Sequence, residues 1–191
     1  MKIPYVISEP GHVAKETGKW TELFEAGLEC LHIRKKEGDA DQIEELLKDI
    51  PSAYRQFCVL HGNPELAIRY GMGGCHLAKH ELSAQNTEEL ILSTSVHTWE
   101  EFLSVQHQVD YAFISPVFDS ISKTGYVANP ALANIPDQVI RSKAVALGGI
   151  TPARAVKARK LGFGGVAVLG YIWSYPDHVI RFEKIRTALA I

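Results

Sequence analysis

The sequence contains no long run of hydrophobic residues. Its first ten residues, Met1–Pro10, include an apolar stretch that is too short for a signal peptide. No other stretch approaches the ~18 consecutive apolar residues that a membrane-spanning helix needs. These absences argue against a membrane protein and predict a soluble, cytoplasmic one.

Cysteine and net charge are also scarce. The 191 residues include three cysteines, Cys30, Cys58 and Cys75, each within or next to an apolar run. An odd number without paired spacing argues against a disulfide framework and predicts buried, reduced thiols. The formal net charge is only −2, and no basic tract suggests binding to nucleic acid. Any anionic ligand must therefore be held by a local site.

The sequence does contain a regular alternation of strand-like and helix-like segments. Short apolar runs rich in β-branched residues predict eight strands, at Tyr5–Ser8, Cys30–Arg34, Phe57–His61, Gly74–Leu77, Leu92–Val96, Tyr111–Ser115, Ala144–Leu147 and Gly165–Leu169. Helical spacing predicts helices at Thr21–Ala26, Asp41–Lys48, Pro64–Tyr70, Thr98–Gln106, Thr151–Lys160 and Asp177–Ala190. This alternation predicts one α/β domain over residues 1–191, a (β/α)8 TIM barrel. An open doubly wound sheet is the alternative architecture.

Two of the predicted helices have well-marked beginnings. Thr98 stands three residues before Glu101, which is the spacing of a capping box. Thr151 precedes Pro152, which places a cap residue before a proline in the first turn. The helix expected after the fourth strand has no comparable signal.

Alternate residues of a barrel strand point inward, so residues two apart share a face. This parity places polar side chains on one face near the carboxyl ends of four strands: His32 with Arg34, His61 with Val59, Ser95 with His97, and Ser115 with Phe113. Active sites of these barrels are built at the carboxyl ends of the strands. The agreement of several strands therefore predicts a site there, although any one of these residues could simply be meeting water.

Glycines follow the last two predicted strands. Gly148 and Gly149 come directly after strand seven, and Leu169-Gly170 ends strand eight. Glycine allows backbone N–H groups to approach an anion closely, and the loops after strands seven and eight form the recurrent phosphate site of TIM barrels. We therefore predict a phosphate-binding site at these two loops.

The segment Ser115–Lys123, after strand six, offers further groups for an anion. Ser120 and Ser122 carry hydroxyls and Lys123 carries a positive charge, a combination suited to phosphate or pyrophosphate oxygens. The bulky residues that follow Pro116 predict an ordered loop.

Several of these segments together resemble motifs of the thiamine phosphate synthase/TenI family, which includes thiamine phosphate synthases and thiazole tautomerases. The resemblance runs along nearly the whole chain and in the family's order, through Leu31–Lys36, Gly73–Leu77, Ser95–His97, Ser115–Lys123, Ala146–Ile150 and Gly164–Gly170. In the loop after strand six, serine replaces both of the family's threonines.

The resemblance implies a role for each matching residue. Pyrophosphate would be held by Arg34, Lys36, Ser95 and Lys123, and the thiazole substrate and its phosphate by Ser120, Ser122, Gly148, Gly149, Leu169 and Gly170. His32 stands where the synthases carry glutamine, as it does in some tautomerase-like members, and would also contact the substrate. The synthases also use Mg²⁺, held by carboxylates, to neutralise the departing pyrophosphate.

The sequence departs from the family at the positions of those carboxylates. The family's Asn-Asp-Arg reads His61-Gly62-Asn63 here, and Glu81 corresponds approximately to the second metal-binding carboxylate. The tautomerases need no metal and instead need a group that titrates near neutrality, for which histidine is suited. By resemblance, His97 would be this acid/base group, with Arg34 and Lys36 beside it. The leading hypothesis is therefore thiazole tautomerase-like proton transfer.

Three alternatives stay open. The protein could be a Mg²⁺-dependent synthase that joins a pyrimidine diphosphate to thiazole phosphate, or a non-catalytic protein that only binds a phosphorylated ligand. Histidines on adjacent strands, His32, His61, His76 and His97, could instead form a Zn²⁺ site. Beyond these small molecules, the sequence indicates neither a nucleic acid nor a membrane partner, and a homodimer is compatible with it.

Overall fold

A computed structural model describes residues 4–11, 13, 15–35, 40–82, 89–120, 125 and 127–190. Its eight strands are β1 Pro4–Ile7, β2 Leu31–Ile33, β3 Cys58–His61, β4 Gly74–His76, β5 Ile91–Val96, β6 Tyr111–Ile114, β7 Ala144–Leu147 and β8 Gly165–Val168. They pair in sequence order, all parallel, and β1 pairs with β8 to close the barrel. The predicted (β/α)8 fold is confirmed, and the open doubly wound sheet is excluded.

The helices surround this barrel. They are α1 Glu16–Glu25, α2 Ala40–Lys48, α3 Ser52–Arg55, α4 Pro64–Arg69, α5 Trp99–Val105, α6 Pro152–Leu161, α7 Gly170–Trp173 and α8 His178–Ala190. Short 3₁₀ turns occupy Lys79–Glu81, Pro130–Ala133 and Arg141–Lys143. Within the described part of the chain, the β4–β5 connection contains only the first of these turns. None of the described helices is both long and apolar enough to cross a membrane.

The predicted caps form with one difference. The hydroxyls of Thr98 and Thr151 accept hydrogen bonds from the backbone N–H groups of Glu101 and Arg154, so both residues begin helices as predicted. The Glu101 carboxylate, however, accepts its bond from the His97 N–H at 2.7 Å rather than from Thr98.

The strand faces separate two cores. Outward residues such as Leu31, Ile33 and Leu60 pack with the helices in the main hydrophobic core. A smaller inner core contains Ile7, Tyr111, Phe113, Val145 and Ala167. The predicted parity is thus confirmed for β2 and β6, since neighbours along each strand belong to different layers. The barrel interior is a packed core, and its upper part carries the polar groups described next.

Candidate active site

A cavity of about 670 Å³ opens at the carboxyl ends of the strands. Nine of the thirteen residues to which the family resemblance gave a role line it: Arg34, Glu81, Ser95, His97, Ser120, Gly148, Gly149, Leu169 and Gly170. Lys36, Ser122 and Lys123, which were predicted to bind anions, lie outside the described residues. The cavity therefore lies where the sequence predicts the site. The roles of Lys36 and Lys123 in binding an anion stay predictions.

His32 does not line the cavity, because it lies beneath it. Its side chain is fully buried, and its ring is 4.5 Å from the ring of Phe113, centroid to centroid. Strand register explains this depth: His32 pairs with Val59, whereas His61 lies two residues further along β3. His32, which was predicted to contact the substrate, is therefore not among the residues that line the cavity.

Two histidines absent from the predicted substrate-binding set form the floor of the cavity. His61 and His76 line it, and their rings stack with centroids 4.2 Å apart. They come together because β3 and β4 pair with these two residues in register. His61 in turn contacts His32, with Nε2 of His61 3.1 Å from Nδ1 of His32.

Hydroxyl groups surround these rings, two on the buried residues Ser93 and Tyr111 and one on the exposed Ser95. The His76 nitrogens Nδ1 and Nε2 each lie 2.9 Å from a serine Oγ, of Ser93 and Ser95 respectively. The His32 Nε2 lies 2.7 Å from the Tyr111 hydroxyl. Burial raises the pKa of Tyr111 well above its usual value, so this group is a neutral phenol.

All three histidines are held in the neutral form. Burial is the main cause of the lowered pKa of His32, His61 and His76, and for His76 it lowers the pKa to about 3. The positive charge of Arg34 lowers the pKa of His61 and His76 further. The floor of the cavity is therefore polar but uncharged, and Arg34 supplies positive charge beside it.

His97 lies at the rim, between the ends of β5 and β6. Its Nδ1 lies 2.9 Å from the Ser115 carbonyl oxygen. A carbonyl can only accept, so Nδ1 carries the hydrogen and Nε2 of the neutral ring carries a lone pair. The side chain is exposed and lines the cavity, so this nitrogen is available for proton transfer.

Glycines allow the loops after β6 and β7 to touch. Gly149 has a φ of +60°, and a Cβ added there would lie 2.1 Å from the Asp119 carbonyl oxygen. Gly148 has a φ of +102° and similarly approaches Pro116. Both conformations are costly for other residues. Glycine here therefore reflects backbone conformation and close packing, whether or not an anion binds.

Arg154, at the start of α6, joins the same two loops. Its Nη1 donates to the Gly149 carbonyl at 2.8 Å and to the Asp119 carbonyl at 3.0 Å. Its guanidinium also lies over the Phe118 ring, 5.6 Å from the centroid. Sequence reasoning did not single out Arg154, because its role depends on a helix and two loops meeting in space.

A buried ion pair supports the β1 and β2 ends. The Lys35 ammonium contacts the Glu16 carboxylate, and their side chains are 1% and 4% exposed. Lys35 also donates to the backbone oxygens of Glu9 and Gly11, at 2.9 and 2.8 Å. This network ties the loop after β1 to the end of β2, next to Arg34.

Comparison with known proteins assigns the chain to a family. The family model described as thiamine monophosphate synthase matches residues 4–172. A thiamine-phosphate synthase of Pasteurella multocida is 27% identical over 173 residues, covering 82% of this chain and 78% of that protein. One from Helicobacter pylori strain Shi470 is 28% identical over 161 residues, covering 76% and 72%.

A solved structure agrees over the full length. The crystal structure of thiamine phosphate pyrophosphorylase from Bacteroides thetaiotaomicron has a TM-score of 0.83 and 30% identity, covering 100% of this chain and 98% of that one. The resemblance found in the sequence is thereby confirmed: the chain belongs to the thiamine monophosphate synthase family.

Proposed function

We propose that the protein binds a thiazole phosphate in this cavity and transfers a proton on the thiazole ring, with His97 as the acid/base group. The observation that carries the proposal is the Nδ1–H bond of His97 to the Ser115 carbonyl, at 2.9 Å. It leaves Nε2 able to take a proton from one ring atom and return it at another. Such a step needs neither redox chemistry nor a leaving group.

The phosphate of this substrate would sit at the loops after β7 and β8. Backbone N–H groups at Gly148, Gly149 and Gly170 and the hydroxyl of Ser120 would contact it, while Leu169 would pack against the ring. Ser122 would add a second hydroxyl. The same cavity is lined by all the described residues assigned here to the phosphate and the ring, which supports this assignment.

The residues present do not fit the family's Mg²⁺. This ion prefers oxygen ligands, usually carboxylates. Among the described residues that line the cavity, Glu81 is the only carboxylate, and one of its oxygens accepts the Ala78 N–H at 2.9 Å. Gly62 replaces the other expected carboxylate, and the floor presents histidine nitrogens instead. The proposed proton transfer therefore uses no Mg²⁺.

The names of the relatives favour a second candidate, thiamine phosphate synthesis. In that reaction, the bond from a pyrimidylmethyl carbon to pyrophosphate breaks and a bond from that carbon to the thiazole nitrogen forms. Arg34 and Ser95 line the cavity and would hold the pyrophosphate with Lys36 and Lys123. Growing negative charge on the leaving group would be stabilised mainly by these cations.

One pair of assays separates these candidates. The purified protein is incubated with the thiazole carboxylate phosphate in D₂O, while ring-proton exchange is followed by NMR. In parallel, thiazole phosphate and the pyrimidine diphosphate are supplied with and without Mg²⁺, while pyrophosphate is measured. We expect exchange without Mg²⁺ and no pyrophosphate. Pyrophosphate release with new thiamine phosphate would instead establish the synthase, and saturable binding without either reaction would indicate a non-catalytic relative.

A further inference from the structure

We propose that His32, His61 and His76 form a binding site for a divalent transition-metal ion such as Zn²⁺. Each ring offers one nitrogen, and these three nitrogens lie within 4.8 Å of one another. They come from three adjacent strands, so the barrel itself holds the cluster. Within the described part of the chain, the histidines of this cluster do not include His97, which the sequence had suggested as a fourth member.

The spacing of the nitrogens is close to that of a metal site. Zinc binds histidine nitrogen at about 2.0–2.1 Å, so two ligands of a tetrahedral site lie about 3.3 Å apart. Nδ1 of His32 and Nε2 of His61 are 3.1 Å apart. An ion would replace the hydrogen bond between them. Because the three nitrogens lie within 4.8 Å of one another, the third ligand must approach by up to roughly 1.5 Å for one tetrahedral ion to bind all three.

Two of the rings already have the outer partners that metal-binding histidines use. A ligating histidine normally donates its other N–H to an oxygen, which fixes the tautomer and the ring orientation. If Nδ1 of His32 binds the ion, its Nε2–H can donate to Tyr111, 2.7 Å away. If Nε2 of His76 binds, its Nδ1–H can donate to Ser93, 2.9 Å away. The buried hydroxyls thus match the needs of two ligands.

The donor set selects the type of metal. Neutral imidazole suits Zn²⁺, Co²⁺ and Ni²⁺, whereas Mg²⁺ prefers oxygen.

The surroundings indicate what would complete the coordination. His61 and His76 line the cavity, so an ion there would keep one face open to a ligand. Arg34 lies close enough to act on both rings electrostatically and disfavours an isolated cation. An anionic fourth ligand, hydroxide or a phosphate oxygen, would offset this repulsion.

The site is independent of the proposed proton transfer by His97. Its test therefore measures metal binding rather than turnover. Protein purified without a histidine tag is stripped with a chelator and titrated with Co²⁺, which gives visible absorption when bound by nitrogen ligands. We expect one Co²⁺ per chain, displaced by Zn²⁺ and unaffected by excess Mg²⁺.

Variants identify the ligands. His61→Gln, which changes the least buried ring of the three, should weaken Co²⁺ binding by more than ~100-fold, because losing a ligand exceeds the loss of an outer partner. Tyr111→Phe should weaken it by about 10–100-fold. The exposed His107→Gln is the control and should bind like the unaltered chain. Circular dichroism checks that each variant folds. If His61→Gln does not fold, His76→Asn provides a second variant that lacks one ligand.

Two results would overturn the proposal. One is the absence of Co²⁺ absorption and of stoichiometric Zn²⁺ in the unaltered protein. The other is binding that persists equally in the His61 and His76 variants. Neither result would bear on ring-proton exchange by His97, which is measured without added metal.

Discussion

The imidazole of His97 donates its Nδ1–H to the Ser115 carbonyl oxygen, 2.9 Å away, and this bond links the end of β5 to the end of β6. The backbone N–H of His97 is held as well, by the Glu101 carboxylate at 2.7 Å. Backbone and ring are thus both fixed at the cavity rim. This is the preorganisation that a general acid/base requires.

His97→Gln should lower the rate of ring-proton exchange by about 100-fold or more, since acid/base groups typically contribute 10²–10⁴-fold. Binding of the thiazole phosphate should change little, because the phosphate would be held by the loops after β7 and β8. NMR exchange and calorimetric titration measure the two effects separately. His107→Gln, exposed and remote from the site, is the matched control. An unchanged exchange rate in His97→Gln would remove this residue from the mechanism.

The strands could be predicted from the sequence because apolar runs and β-branched residues define them locally. Ala144–Leu147 has the predicted bounds, and each of the other seven strands differs by one residue at one end or at both ends. Helix α1 was predicted to begin at Thr21 but begins at Glu16. Its first turn contains Gly18 and no apolar residue, and a tertiary contact from Glu16 to Lys35 supports it. Helices α3 and α7 span four residues each, too short for a periodic signal.

The candidate site was predictable where parity alone decides a side chain's direction. Ser95 and His97 reach the cavity as their spacing along β5 predicts. The face of His76 could not be assigned, because β4 has only three residues; the register with His61 and Ser93 determines it. Parity predicts the face of a residue but not its position along the barrel axis. It therefore could not predict that His32, which shares the inward face, lies below the cavity.

Arg154 is expected to position the loops after β6 and β7. Arg154→Ala removes the donor shared by the Gly149 and Asp119 carbonyls and should weaken thiazole phosphate binding about tenfold, roughly 1.4 kcal/mol. Calorimetric titration measures the affinity. Lys157→Ala is a matched control on the same helix, since Lys157 also lies over the Phe118 ring, at 5.8 Å. Equal affinities of the two variants would show that the paired hydrogen bonds of Arg154 do not matter for binding.

Gly149 should not tolerate a side chain. In Gly149→Ala, the φ of +60° costs about 1–2 kcal/mol, and the new Cβ would meet the Asp119 carbonyl at 2.1 Å. We therefore expect lower stability and weaker phosphate binding, measured by urea unfolding and by titration. Gly18→Ala is the control: Gly18 lies in α1, and a Cβ added there would meet nothing within 4 Å, so alanine should stabilise by about 0.5–1 kcal/mol. Full phosphate affinity in Gly149→Ala would contradict the assigned role of this loop.

The buried pair of Lys35 and Glu16 should contribute to stability far more than an exposed pair. Lys35→Met leaves the Glu16 carboxylate 4% exposed without its partner and removes the bonds to the Glu9 and Gly11 carbonyls. Breaking a buried pair in this way costs about 3–5 kcal/mol, because an uncompensated charge stays buried.

Urea unfolding followed by circular dichroism measures this cost. Lys48→Met provides the comparison, since Lys48 and its partner Glu45 are 51% and 75% exposed and such an exposed pair contributes little to stability. A loss below 1 kcal/mol in Lys35→Met would mean that water reaches Glu16 once the lysine is removed. In that case the start of α1 and the loop after β1 would not depend on the ion pair. A large loss would show instead that the β1 and β2 ends beside Arg34 are held in place by buried charge.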